Sequence, residues 1–285
     1  MPLTRSAGGI NLGAFNRIVR AAAFSGILAG LLLTAVQQVQ VSKIILQAET
    51  YEDAAASAAA PAAEPTTTPA SAKAVQHVHA DGHAHTHAAA LPSAPEHSHD
   101  VASASASEQA HEQQQHTHGG WQPENGKERT FFTAVANISM AVGFGLLLAG
   151  AISLRGQSNG FGSGLLWGAA GYLVFFVAPS IGLPPELPGT VGAPLAARQI
   201  WWLTTVSATA GGLALLVFAR SLPLKLLGAA MLFVPHLVGA PQPELHASSA
   251  PAELTRAFVY ATAIANAAFW LALGGLAGFF YKKSA

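Results

Sequence analysis

Six apolar stretches, each close to the length that crosses a bilayer, constrain this chain more than anything else in it. A hydrocarbon core about 30 Å thick needs an α-helix of ~20 mostly apolar residues. The stretches run over residues 18–39, 130–154, 164–183, 199–219, 223–240 and 258–281, the fifth being short. Only 10% of the 285 residues are charged, against roughly 25% in a soluble domain. Mean hydropathy is +0.37. The reading is an all-α polytopic membrane bundle of about six transmembrane helices.

Residues 40–129 interrupt that pattern. "VSKIILQAETYEDA" can prolong the first helix beyond the membrane. Residues 54–120 are then Ala, Pro, Ser, Thr, Gln and His, too poor in apolar surface to offset chain entropy, and are expected to be a disordered external loop. The expected organisation is a cytoplasmic segment 1–17, the first helix and its extension 18–53, the His-rich loop 54–120, and a five-helix membrane body 121–285. The first span has the basic leader and apolar core of a signal peptide. Its run is long, however, and "DAAASAAA" follows well past its end, so it is read as retained; cleavage would leave five helices.

Basic residues in short flanks set orientation. Arg5, Arg17, Arg20, Arg155, Arg220, Lys225, Lys282 and Lys283 fall on one side if all six helices span. Both termini are therefore expected in the cytoplasm, with the His-rich loop outside, in the periplasm of a Gram-negative host.

That loop carries His77, His79, His83, His85 and His87 in "HVHADGHAHTH", then His97, His99, His111, His116 and His118. H-x-H puts two imidazoles on one side of an extended chain. Neutral imidazole suits zinc, nickel, copper, iron and cobalt. With no cysteine and three methionines, thiolate sites and a thioether copper(I) relay are excluded. The reading is a weak, exchangeable metal buffer; the alternative is a linker with merely solvated histidines.

Other candidates line the outer ends of the spans. Glu124 and Glu128 stand near His116 and His118 where the loop meets the second helix. They read equally as a handover point and as acidic residues favouring a helix N-terminus. Glu49, Glu52 and Asp53 add negative charge past the first helix. Glu186 sits in "GLPPELPG", where three prolines stiffen the turn; it is a candidate ligand or a solvated turn residue. His236 is the ionisable residue inside a span, beside Pro235, which cannot donate to the Met231 carbonyl. Trp201 and Trp202 read as interface anchors, with Arg198 snorkelling outward. Gln37, Gln38, Asn137 and Asn266 either line a path or hydrogen-bond between helices. Gly26 and Gly30, Gly160, Gly164 and Gly168, and Gly274 and Gly278 are four apart, a spacing that permits close helix contact.

Some functions are excluded. Zero net charge offers no basic surface for nucleic acid. "GK" at Gly126–Lys127 is no phosphate loop, because Gly120 is one residue too far back and Glu128 replaces Ser/Thr. No nucleophile constellation or catalytic carboxylate pair marks an enzyme.

In combination, "GLLLTAVQQ" (30–38), "ILQAETYE" (45–52), "GKERTFFT" (126–133), "GLLWGAAGY" (164–172), "GLPPELPG" (182–189), "ARQIWWL" (197–203) and "PHLVGAPQP" (235–243) resemble the CbtA family of predicted cobalt transporter subunits. The resemblance implies an inner-membrane protein importing Co²⁺ for cobalamin synthesis beside a small single-span companion subunit. It also implies metal handling at Glu49, Glu128, Glu186 and His236. No tightly bound cofactor is expected, and a homo-oligomer is compatible. Nickel or zinc transport, or a non-transporting metal sensor or chaperone, remain alternatives.

Overall fold

The computed structural model describes residues 12–59, 75–78, 84–87, 123–156 and 160–284. The chain divides into two units, residues 1–59 with 123–285, and residues 60–122. In the first unit the elements are α1 (Leu12–Val36), a π turn (Gln37–Val41), α2 (Ser42–Ala59), α3 (Lys127–Arg155), α4 (Phe161–Tyr172), a second π turn (Leu173–Val177), α5 (Ala178–Gly182), α6 (Leu195–Phe218), α7 (Leu222–Val238) and α8 (Ala252–Lys283). Five helical bodies are long and apolar enough to cross a membrane: 12–59, 127–155, 161–182, 195–218 and 252–283. The 17-residue α7 is apolar but shorter.

Helices suit this sequence because they satisfy every backbone group within one segment, as a hydrocarbon environment demands. Each expected span contains a helix; several helices start before or end after the apolar windows, while Leu183, Ala219, Gly239 and Ala240 fall outside the helices. Lys127, Glu128, Arg129, Lys282 and Lys283 are polar yet helical, because helix ends reach past hydrocarbon into the interface. The first body is the longest. Its 48 residues make a rod of roughly 72 Å at ~1.5 Å per residue, so the extension past the first span is helical. The rod runs six residues into the segment expected to be disordered.

The second unit contains β1 (Val75–Val78) paired antiparallel with β2 (Ala84–His87), His77 opposite His85. Val75, Val78 and Thr86 favour strands, and Asp81-Gly82 between them in sequence is a common hairpin dipeptide. His85 and His87 share this extended backbone. His79, His83, His97, His99, His116 and His118 lie outside the described residues, as does the rest of the expected loop.

Small residues set the helix contacts, as their spacing suggests. A Cβ on Gly26 or Gly30 would lie 2.7 Å from the Cα of Val142 or Ile138, so α1 meets α3 backbone to backbone. Gly164 and Gly168 of α4 face Gly274 and the Trp270 carbonyl of α8. Gly212 of α6 faces the Gly228 carbonyl of α7, a pair that four-residue spacing does not reveal. Aromatic rings fill the middle: Phe175 stacks on Trp270 at 5.3 Å, and Phe144 meets Trp270 at 4.8 Å.

Charge sorts to the two ends of this bundle. At one end Arg17 lies over the Tyr281 ring, Lys282 runs past Gly160, and Arg155 lies over Phe218. At the other end, loops 183–194 and 239–251 are joined by a bridge between Thr190 and Ser248, with Val191 N–H donating to the Ala247 carbonyl at 2.9 Å. Glu52 reaches Gly189 there. Glu49, Glu52, Asp53, Glu124, Glu128, Glu186, Glu244 and Glu253, all the acidic residues described, belong to this second end.

Candidate functional site

At the acidic end, the helical rod carries Glu49 to the first turns of α3. Arg129 grips it with two hydrogen bonds, Nη2 to Oε1 at 2.6 Å and Nη1 to Oε2 at 3.2 Å. Arg129 Nη1 also donates to Asn125 Oδ1 at 2.8 Å. The arginine and glutamate side chains are 37% and 31% exposed. A pair so open to solvent contributes at most about 1 kcal/mol, so it can exchange. Neighbouring Glu128 turns to its own helix start, where Oε2 accepts the Glu124 backbone N–H at 3.0 Å. This arrangement matches the helix-terminus reading of Glu128.

A cavity of about 790 Å³ opens beside this pair, between the first π turn and α3. Gln37, Gln38, Ser42, Thr133 and Asn137 give it polar walls, Val41, Ile45 and Phe131 apolar ones, and Lys127 and Arg129 reach its lining. Asn137 is buried. Its Nδ2 donates to Gln37 Oε1 at 2.7 Å and to Thr34 Oγ1 at 3.0 Å, and Thr34 Oγ1 donates to the Gly30 carbonyl at 2.9 Å. Polar groups thus continue from the cavity into the α1–α3 seam. The π turn bends this wall: Ser42 N–H donates five residues back, to the Gln37 carbonyl. Such turns appear frequently at functional sites. Gln38 has no hydrogen-bond partner among the described residues. Asn266, by contrast, donates to the Thr262 carbonyl of its own helix at 3.0 Å.

Glu186 is held by Arg198, whose Nη2 lies 2.8 Å from Oε2. Arg198 therefore reaches back to the turn. Gly192 leaves the pair its room, since a Cβ there would lie 2.6 Å from Arg198 Nη1 and 3.3 Å from Glu186 Oε2.

His236 lies in the last turn of α7, not well inside a span. Its ring stands edge-on to Trp201 at 6.1 Å. Trp201 is buried at 8% exposure, and its Nε1–H donates to the Pro235 carbonyl at 3.3 Å. The interface-anchor reading of Trp201 is corrected by this: the indole is a strut between α6 and α7, packed on Gly182. Trp202 meets the Phe175 ring at 6.3 Å.

Among the described residues, no three His, Asp or Glu side chains gather as a metal-sized cluster. Glu49, Glu128, Glu186 and His236 thus form no shared cage. Sequence reasoning did not find the arginine partners of Glu49 and Glu186. Both arginines stand in the quoted segments, but one sequence carries no sign of which acid each pairs with, whether eighty residues away, as Glu49 is from Arg129, or twelve, as Glu186 is from Arg198.

A family model described as "Probable cobalt transporter subunit (CbtA)" matches residues 15–101 and 93–282. No curated protein and no solved structure matches the chain.

Proposed function

We propose, from the premise that the chain belongs to the CbtA family, that it is the membrane-spanning subunit moving Co²⁺ into the cytoplasm for cobalamin synthesis. The family match over most of the chain carries this reading, and the apolar helical bundle supports it. The basic end faces the cytoplasm across the inner membrane, the acidic end faces outward, and the His-rich segment lies in the periplasm. A small single-span companion is the partner that the word "subunit" calls for.

The steps follow from charge and ligand type. Histidines 77, 79, 83, 85, 87, 97, 99, 116 and 118 raise the local metal concentration through exchangeable imidazole binding. Glu49, Glu128 and Glu186 receive the ion and strip part of its water, each carboxylate exchanging its present protein partner for the metal. His236, in the last turn of α7 at the same end, adds an imidazole to these outer sites. An inside-negative potential favours inward movement of a doubly charged ion by about 4.6 kcal/mol per 100 mV, twice the single-charge value. That suffices for uptake without ATP. The lack of a three-residue cluster among the described residues favours weak sites in series over one tight site.

The test is ⁵⁷Co²⁺ uptake into proteoliposomes under an inside-negative potential, with the full chain and with residues 75–118 deleted. Uptake that survives deletion at lower apparent affinity is expected. No uptake by either would sink autonomous transport and leave a companion-dependent subunit or a metal-delivery protein. Competition by Ni²⁺ and Zn²⁺ in the same assay ranks the alternatives.

A further inference from the structure

We infer that the cavity between the first π turn and α3 is the water-filled outer mouth of the ion path, and that Arg129 closes it by occupying Glu49. The inference rests on the transport reading above and gives it a location.

Size permits it. An ion with six waters, at about 30 Å³ per water, fills roughly 200 Å³, well inside the ~790 Å³ available. The walls permit it too. Amide and hydroxyl groups of Gln37, Gln38, Ser42, Thr133 and Asn137 supply neutral oxygens that can replace hydration water without trapping a divalent ion as carboxylates would. Gln38, unpartnered among the described residues, is an amide with nothing to satisfy it except water or a ligand.

Charge supplies the gate. Lys127 and Arg129 line the cavity and no carboxylate does, so the closed form repels cations. The carboxylate that would attract them, Glu49, is taken by Arg129 at 2.6 Å. A divalent cation arriving at Glu49 displaces the guanidinium, whose Nη1, shared between Glu49 and Asn125, keeps its bond to Asn125 Oδ1. The displaced arginine leaves the lip, and the ion stands above Gln37 and Asn137. Below them the Thr34 hydroxyl and the Gly30 carbonyl continue the polar line.

The chain has no cysteine, so single thiols report cleanly. The Gln38→Cys thiol, in full-length protein in proteoliposomes, is treated from outside with a cationic membrane-impermeant thiosulfonate. Val39→Cys, at a neighbouring 69% exposed position, is the comparison. Modification several-fold faster at position 38 than at 39, and several-fold faster again with Arg129→Gln, is expected. Equal rates at 38 and 39 would overturn a water-filled mouth. A rate indifferent to Arg129→Gln would overturn the gate.

Uptake separates this idea from its premise. Gln37→Leu and Asn137→Leu, checked as folded by size exclusion, should each lower ⁵⁷Co²⁺ uptake several-fold. Arg129→Gln should raise uptake at low Co²⁺. Unchanged uptake in the leucine variants overturns the cavity while leaving transport standing. Gated labelling with no uptake by the unmodified chain supports the cavity and overturns autonomous transport.

Discussion

Gly164 and Gly274 press α4 against α8 so closely that a methyl group on either would fall on the other's backbone. Backbone cannot yield as a flexible side chain can. Gly164→Ala is expected to cost about 1–3 kcal/mol, the usual range for overpacking, and to lower the melting temperature in detergent. Gly143 lies mid-helix in α3 with open space around it. Gly143→Ala should therefore hold or raise that temperature, by up to about 1 kcal/mol of helix propensity. A drop of equal size in both variants would contradict backbone contact as the cause.

Asn137 bridges α1 and α3 through Gln37 and Thr34. Hydrogen bonds between membrane helices are worth about 0.6–2 kcal/mol. A double-mutant cycle of Asn137→Leu and Gln37→Leu, followed by unfolding in mixed micelles, should give a coupling in that range. Additive losses would mean that the two amides do not support each other.

Trp201 acts through volume more than through its N–H. The Pro235 carbonyl that accepts this indole also accepts the Gly239 N–H at 3.1 Å. Trp201→Phe should therefore cost only about 1 kcal/mol, one modest hydrogen bond. Trp201→Ala should cost about 3–5 kcal/mol through the space it empties. Thermal unfolding of the two variants side by side reads the difference.

Residues 60–122 are mostly Ala, Pro, Ser, Thr, Gln and His with little apolar surface to bury, so bundle stability should not depend on them. Deleting residues 75–118 is expected to leave the melting temperature of the bundle unchanged. The same deletion should abolish most of the exchangeable Co²⁺ binding seen by calorimetry in detergent. A lower melting temperature would show that the segment braces the bundle.

Local pattern made the helices legible. Apolar runs located the five long helices and the shorter α7, and four-residue glycine spacing marked faces capable of close contact without naming their partners, because both signals are written within single segments. Partnership across segments was not legible. Glu49 and Arg129, Glu186 and Arg198, and Gly212 and Gly228 each meet because two separate elements, neighbouring in sequence or far apart, pack in one particular register. Hydropathy also misled about Trp201: an aromatic residue near a span end looks the same whether it faces lipid headgroups or a neighbouring helix. At His236 the apolar window ran to residue 240, although Gly239 at φ +85° ends the helix and leaves the imidazole in its final turn.

The π turn at Gln37–Val41 fixes a phase. An α-helix advances about 100° per residue, and everything beyond the turn inherits whatever rotation it introduces. A π turn holds one more residue than an α turn, so winding the same residues as ordinary α-helix would swing the whole distal rod by roughly that angle. Glu49 would leave Arg129, Glu52 would leave Gly189, and the membrane half below would keep its place. Five residues thus act as the coupling between two halves of one helix, setting which face the distal half presents to the rest of the protein.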